Sequence, residues 1–325
     1  PWIQGAYSSC DLLNCSAIDH LFPLAGAQGG SVAQALLDDG TFSVRAVTRD
    51  PSQPAAQALL SRGAEVVKGD LNDLPVLEQI MFGAYGAFVV TAGDSSKEQE
   101  SNQGRNSAEA AKHQGLKHVV FSGFDHVEKV TGGRLKVPFL DSKGEAEAHY
   151  QKLGVPFTSV RLPCYYENFL NFCPPQKEPG KDVYTIAIPM GDTLIHAMSV
   201  SDLGPVVLNI LKAPEIYIGK TINLSVETLT VQGFASILSQ HLGKDIQDAK
   251  SFKLPLHNGA HNITNCFARF YQKGSSFFAK NVRIPPSTSE WLLVLHPKTN
   301  GSGLFLFLYL PNALVVTYIC VYVCT

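Results

Sequence analysis

The run Ala25-Gly26-Ala27-Gln28-Gly29-Gly30-Ser31-Val32-Ala33, with Thr48-Arg49-Asp50 about 20 residues further on, constrains this chain more than any other stretch. A glycine-rich turn that opens a helix, followed by a strand closed by a basic residue, is the layout of a dinucleotide-binding βαβ unit. Glycines let the backbone approach a pyrophosphate, and the helix N-terminus meets it with free N–H donors and a partial positive charge. The residue closing the second strand selects the cofactor. Asp or Glu there accepts from a ribose 2′-OH, whereas Arg accommodates a 2′-phosphate. Here Phe42-Ser43-Val44-Arg45-Ala46-Val47-Thr48 leads to Arg49, so the reading is NADP(H) over NAD.

One position departs from the full fingerprint. A further glycine is expected three residues before Gly26, and the chain has Pro23. Proline withdraws an N–H and fixes φ near −65°. The strand expected before the turn, Ala17-Ile18-Asp19-His20-Leu21-Phe22, carries two polar residues where a buried parallel strand is apolar. Both departures predict a weakened cofactor loop.

Composition narrows the class. Of the 325 residues, 45% are hydrophobic and 17% charged, as in globular chains, and the net charge of −2 gives no electrostatic reason for nucleic-acid binding. The seven cysteines form no CxxC and no zinc spacing, so no metal site is expected, and they read as reduced thiols of a cytoplasmic protein. Residues 1–21 read as an atypical extension. From Gly303 to Thr325 no residue is charged, but Pro311-Asn312 interrupts the apolar run and no basic residue follows it. This tail, residues 300–325, reads as atypical and separable, with a membrane anchor as the alternative.

Between the ends, strands and helices alternate, which predicts an α/β fold with a doubly wound parallel sheet of the Rossmann type. Helices are expected over 30–39, 54–62, 74–81, 98–114 and 139–152, and strands over 42–48, 64–70, 87–91, 118–123 and 157–162. Pro174 to Tyr184 is expected as an exposed loop, and Asp202 as the cap of a helix running to Lys212. Candidate site residues follow the strand ends: Asp70 and Asp73, then Thr91 to Ser96, then Tyr165, Tyr166, Glu167 and Asn168. Taken alone, each polar residue reads better as a turn or helix-cap residue; their shared position on one edge is what favours a site.

Five stretches carry a family resemblance: Gly26-Ala27-Gln28-Gly29-Gly30-Ser31-Val32, Val47-Thr48-Arg49, Gly63-Ala64-Glu65-Val66-Val67, Arg161-Leu162-Pro163-Cys164-Tyr165-Tyr166-Glu167-Asn168 and Met198-Ser199-Val200-Ser201-Asp202-Leu203-Gly204-Pro205. With them the chain resembles the NmrA-like family, a branch of the atypical short-chain dehydrogenases/reductases, over roughly residues 22–250. The resemblance implies an NADP(H)-binding Rossmann domain, here 22–165, and a smaller C-terminal α/β region, here 166–299, with segments returning to the sheet. It implies a redox sensor that changes protein partners with the NADPH/NADP⁺ ratio, often as a homodimer, in the cytoplasm and also the nucleus. The family's phosphate-loop residues map onto Ala25, Gly26, Ala27 and Gln28, beside Gly29. Its 2′-phosphate arginine maps onto Arg49, a lysine near the nicotinamide onto Lys143, and the loop after the sixth strand onto Tyr165 to Asn168. Pro23-Leu24, Gln53 and Asn102 depart from the family pattern.

Active short-chain dehydrogenases use Tyr-x-x-x-Lys, in which the phenol transfers a proton while hydride moves. The corresponding residues are Phe139-Leu140-Asp141-Ser142-Lys143, and Phe139 has no proton to give. Ser122, at the end of the fifth strand, is left as a candidate substrate-orienting group and Lys143 as a candidate acid/base. The reading is therefore a cofactor-binding regulator without ordinary dehydrogenase catalysis. One alternative is an NADPH-dependent reductase, quinone- or isoflavone-reductase-like, using Lys143. Another is a non-functional splice or pseudogene-like product with a damaged cofactor loop.

Overall fold

The computed structural model describes residues 11–14, 24–91, 96–188 and 190–250. In chain order the first elements are β1 (Asp11–Asn14), α1 (Leu24–Asp39), β2 (Arg45–Thr48), α2 (Pro54–Ser61), β3 (Glu65–Lys68), α3 (Leu74–Met81), β4 (Gly86–Val89) and α4 (Lys97–His113). Then come β5 (His118–Ser122), α5 (Val127–Val130), α6 (Pro138–Leu153), β6 (Phe157–Arg161), β7 (Cys164–Tyr165), α7 (Asn168–Asn171), β8 (Gln176–Lys177), β9 (Val183–Ile186) and β10 (Ile195–Met198). A 3-10 turn at Val200–Asp202 leads into α8 (Leu203–Lys212), α9 (Pro214–Tyr217), β11 (Thr221–Asn223), β12 (Glu227–Leu229), α10 (Val231–Leu242) and β13 (Asp245–Asp248).

The chain forms two compact units. Among the described residues, the first holds those through Leu162 together with Ser199–Leu224; the second holds Pro163–Met198 and those from Ser225 to Lys250. In the first, β1, β2 and β3 pair in parallel, as do β4, β5, β6 and β11. β1 lies beside β4. The strands thus run 3-2-1-4-5-6, the doubly wound order whose reversal between β1 and β4 is the crevice where dinucleotides bind. The fold is of the Rossmann type, as the alternating pattern predicts. The central strands read as continuous apolar runs because helices cover both faces of the sheet: Phe88, Val89, Val119, Val120 and Phe121 are all buried. Small residues set the depth of helix packing. A Cβ on Gly104 of α4 would stand 2.3 Å from the Ala146 Cβ of α6, so only glycine allows this approach.

Four expectations are corrected. The first strand is Asp11–Asn14, inside the segment read as an extension; residues 17–22, where the strand was expected, and Pro23 lie outside the described residues. The glycine-rich stretch is not a loop ahead of a helix at Gly30. Helix α1 already begins at Leu24 and carries Gly26 and Gly29 within it, since a backbone with no side-chain clash still propagates hydrogen bonds once a turn is nucleated. The segment from Pro174 to Tyr184 is not a plain loop. Its ends form the antiparallel β8–β9 pair, with Lys177 bound to Asp182 at 2.9 Å across the turn. Asp202 does not cap α8 with its side chain. That work falls to Ser31 of α1, whose Oγ accepts from the Gly204 N–H at 2.9 Å and donates to the Ser201 carbonyl at 3.0 Å. A cap supplied from far along the chain leaves no local sequence signal.

The same contact gives a prediction. A Cβ on Gly204 would meet the Ser31 carbonyl oxygen at 2.3 Å and the Ala35 Cβ at 2.8 Å. Glycine to alanine in a helix interior ordinarily stabilises. Here the added methyl is forced against backbone, and Gly204→Ala is expected to destabilise by about 1–3 kcal/mol, the scale of overpacking. Urea unfolding of the variant beside the unmodified chain checks the sign.

The second unit is built on two small sheets, ordered β12-β10-β7 and β13-β9-β8. Phe234 of α10 packs edge-on to Tyr166 and against Phe169, at ring separations of 6.4 and 5.4 Å. The Thr230 side chain caps α10 by accepting from the Gly233 N–H, and Gly243 ends it with φ 61°.

Candidate cofactor site

The first four N–H groups of a helix have no partner within it. In α1, whose first residue is Leu24, they include those of Leu24, Ala25 and Gly26. The expected phosphate-binding residues Ala25, Gly26 and Ala27 therefore fall in the first turn, where backbone donors and the helix dipole favour an anion. Gln28 and Gly29 follow as buried residues of the next turn.

At the carboxyl end of β2, Arg49 is exposed and has no ion-pair partner among the described residues. Its neighbours are already engaged. Asp50 accepts from the Ser52 N–H at 2.9 Å, the Ser52 hydroxyl at 2.6 Å and the Gln53 amide at 2.9 Å. These bonds, the Ser52 hydroxyl first, hold its carboxyl below the usual carboxylate range. Gln53 thus closes the turn and leaves Arg49, among the described residues, a cation without an ion-pair partner at the strand end. A phosphorylated ribose needs such a cation, and the pyrophosphate needs unpartnered N–H groups, so the residues present fit a phosphorylated dinucleotide.

Across the reversal point, a buried polar network follows β4. Glu100 of α4 is fully buried. It accepts from the Thr91 hydroxyl at 2.7 Å, the Ser142 hydroxyl at 2.6 Å and the Lys143 ammonium at 2.9 Å. Lys143 also donates to the Thr91 Oγ1 at 2.9 Å and reaches the Thr91 carbonyl at 3.3 Å. Two expected site residues, Thr91 and Lys143, are thereby brought together, and all three N–H bonds of the ammonium have acceptors. Glu100 was missed by the sequence reading. Its signal is spacing: with Gly104, Ser107 and Ala111 it falls on one buried stripe of α4, a carboxylate in line with small packing residues.

The remaining candidates divide. Ser122 is buried at the end of β5. Asp73 accepts from the Val76 N–H at 3.1 Å and is the N-cap of α3, a structural use that also explains its place after a strand. Tyr165, Tyr166, Glu167 and Asn168 belong to the second unit, where the Asn168 amide donates to the Cys164 sulfur at 3.3 Å and its carbonyl accepts from the Cys173 thiol at 3.4 Å. Both cysteines are free, and burial pushes both thiols up from their ordinary range. No group of three metal-ligating side chains occurs among the described residues, nor a helix long and apolar enough to cross a membrane. The tail over 300–325 and Ala92 to Ser95 lie outside the described residues.

The family model described as "NmrA-like family" matches residues 21–256. The chain belongs to the NmrA-like family. An NmrA-like family domain-containing protein of Dictyostelium discoideum is 32% identical over 241 residues, 70% of this chain and 78% of that one. The NmrA-like family domain-containing oxidoreductase FrzB of Cladobotryum sp is 33% identical over 219 residues, 61% of this chain and 65% of its own length. Among solved structures, the negative transcriptional regulator NmrA superposes with a TM-score of 0.69 in complex with NAD, at 21% identity, covering 83% of this chain and 84% of that one. In complex with NADP the TM-score is 0.65 at 22% identity, covering 77% and 80%. The NADPH-dependent quinone oxidoreductase QOR2 of Escherichia coli, crystallised with NADPH, gives 0.63 at 21%, covering 77% and 87%. At these identities the superpositions speak for the fold, which the NmrA-like chain shares over its sheet.

Proposed function

We propose that this NmrA-like chain binds NADP(H) as a regulatory redox sensor and does not carry out ordinary dehydrogenase catalysis. The observation that carries the binding half is Arg49, an exposed cation without an ion-pair partner among the described residues, standing at the end of β2 in a 3-2-1-4-5-6 sheet. The NADP and NADPH held by NmrA and QOR2 support the same reading. NADPH supplies a hydride when an acceptor is present. The chain's own residues are poorly placed to supply the matching proton. Phe139 has no acidic hydrogen, and Lys143 is held by Glu100 and Thr91. A protein partner that responds to the NADPH/NADP⁺ ratio, a homodimer, and cytoplasmic and nuclear residence belong to this proposal.

A second reading has its own support: FrzB carries the name oxidoreductase, and QOR2 the name NADPH-dependent quinone oxidoreductase. In that reading the chain is an NADPH-dependent reductase of acceptors that take their proton from water. Two measurements separate them. Titration with NADPH and NADH, followed by cofactor fluorescence, is expected to show tighter binding of NADPH. Arg49→Asp is expected to weaken NADPH by tenfold or more, on the order of 1.5–3 kcal/mol for a charge-assisted bond, and to remove the preference. Equal affinity for both cofactors in the unmodified chain overturns the NADP(H) assignment. NADPH consumption with a panel of ketones and quinones is expected to be negligible; fast turnover of any of them replaces the sensor with the reductase.

A further inference from the structure

The network around Glu100 has a consequence that rests on the NADP(H) reading above. In this sheet order a dinucleotide straddles the reversal point, with its phosphorylated ribose at the end of β2 and its other half over β4 and β5. Arg49 stands on the first side. Thr91 and Lys143 stand on the second, two and many residues beyond β4, joined at 2.9 Å. Lys143 lies on α6, whereas its carboxylate partner comes from α4.

We propose that Glu100 is the positioning residue for the nicotinamide half of the cofactor: it pins the Lys143 ammonium against Thr91 at the end of β4, so that this side of the crevice presents a fixed cation. Three features carry this. Glu100 is fully buried, and among the described residues its carboxylate is bonded to Thr91, Ser142 and the partly exposed Lys143. Its two oxygens are divided, one to Thr91 and Lys143 and the other to Ser142, which fixes the carboxylate plane. The Thr91 hydroxyl donates to Glu100 and accepts from Lys143, so the three groups have one consistent set of hydrogen positions. An ammonium held in this way loses the rotamer freedom of a four-carbon stem before any ligand arrives, which lowers the cost of binding.

The test separates positioning from structural support by splitting the ligand. Adenosine 2′,5′-bisphosphate carries the phosphorylated ribose and no nicotinamide. Glu100→Gln is expected to raise the dissociation constant of NADPH by about tenfold while changing that of the bisphosphate by less than about twofold; Arg49→Asp weakens both. Labelling of the Lys143 amine by trinitrobenzenesulfonate, read by peptide mass spectrometry without cofactor, is expected to rise several-fold in Glu100→Gln as the side chain is released. Glu100→Asp is expected to restore part of both effects. Should Glu100→Gln not fold, Ser142→Ala removes one bond to the same carboxylate and is expected to shift NADPH affinity and labelling the same way by a smaller factor. Equal weakening of NADPH and the bisphosphate by Glu100→Gln, or unchanged Lys143 labelling in a folded variant, overturns the proposal. Failure of the unmodified chain to bind NADPH overturns the functional reading instead, and the labelling still reports whether Glu100 holds Lys143.

Discussion

Arg161→Met is expected to destabilise the first unit by about 3–5 kcal/mol, because it removes one partner from a buried ion network and leaves the other without a counter-charge. Arg161 closes β6. Its guanidinium donates to Glu147 at 3.2 and 2.8 Å and to Asp125 at 2.6 Å. Glu147 also accepts from the Ser159 hydroxyl at 2.6 Å and is buried. Burial works against the charge on Arg161, but Glu147 and Asp125 outweigh it and raise its pKa. Glu147 is tightly packed: a Cβ on Gly123 would already meet Glu147 at 2.0 Å and Ser159 at 2.5 Å. Without Arg161, Glu147 keeps one hydroxyl donor and no cation. Two measurements check this. Urea unfolding at neutral pH is expected to show the full loss, and adding Glu147→Gln to Arg161→Met is expected to recover most of it, since the carboxylate left alone is what costs stability. A single variant as stable as the unmodified chain shows that the network contributes nothing net.

The sheet was readable in the sequence because its evidence is local. Ala87-Phe88-Val89-Val90 and Val119-Val120-Phe121 are apolar runs between polar and turn residues, and Gly63, Gly115 and Gly154 end their helices at positive φ, where glycine is favoured. Arg49 and Lys143 were readable because their types and spacing match a known pattern. What escaped is long-range. In sequence Arg161 is the basic residue near the end of a strand and the start of a family stretch, with nothing local to name its partners, yet it joins β6 to α6 and to the loop after β5. Ser31 caps a helix from α1, taking a role assigned to Asp202. Glu100 looked like one more charge on a polar helix, Lys-Glu-Gln-Glu-Ser-Asn-Gln, and only packing shows that it faces inward. Charged and hydroxyl side chains form such networks across elements that the sequence separates, so their partners are set by the fold.

Acidification is expected to weaken the first unit through His118, and His118→Phe is expected to remove that part of the pH dependence. His118 opens β5 and is fully buried. Its Nε2 lies 2.8 Å from the Thr158 hydroxyl, which in turn donates to the Tyr217 carbonyl at 2.7 Å. A hydroxyl has one hydrogen, so Thr158 accepts from the ring, and His118 is the neutral tautomer with its proton on Nε2. Nδ1 is buried and has no hydrogen-bond partner among the described residues. Burial lowers the pKa of this ring from 6.5 to about 4. Above pH 6.5 the ring is neutral in both folded and unfolded chains and the pH has no hold on it. As the pH falls below 6.5 the unfolded chain takes up a proton that the folded chain refuses until about pH 4, so stability is lost across that window. The loss amounts to about 3 kcal/mol at the lower end, at roughly 1.4 kcal/mol for each unit of difference. Phenylalanine keeps the ring, removes the titrating nitrogens and leaves Thr158 bonded to Tyr217, so its stability at pH 7 is expected to stay within about 1 kcal/mol of the unmodified chain. Unfolding free energies of both proteins from pH 7.5 to 4 give the answer by difference, because the other titrating groups are common to the two. The unmodified chain is expected to fall relative to the variant as the pH drops, ending about 2–4 kcal/mol below it near pH 4; parallel curves show that the proton on His118 is not what acid adds.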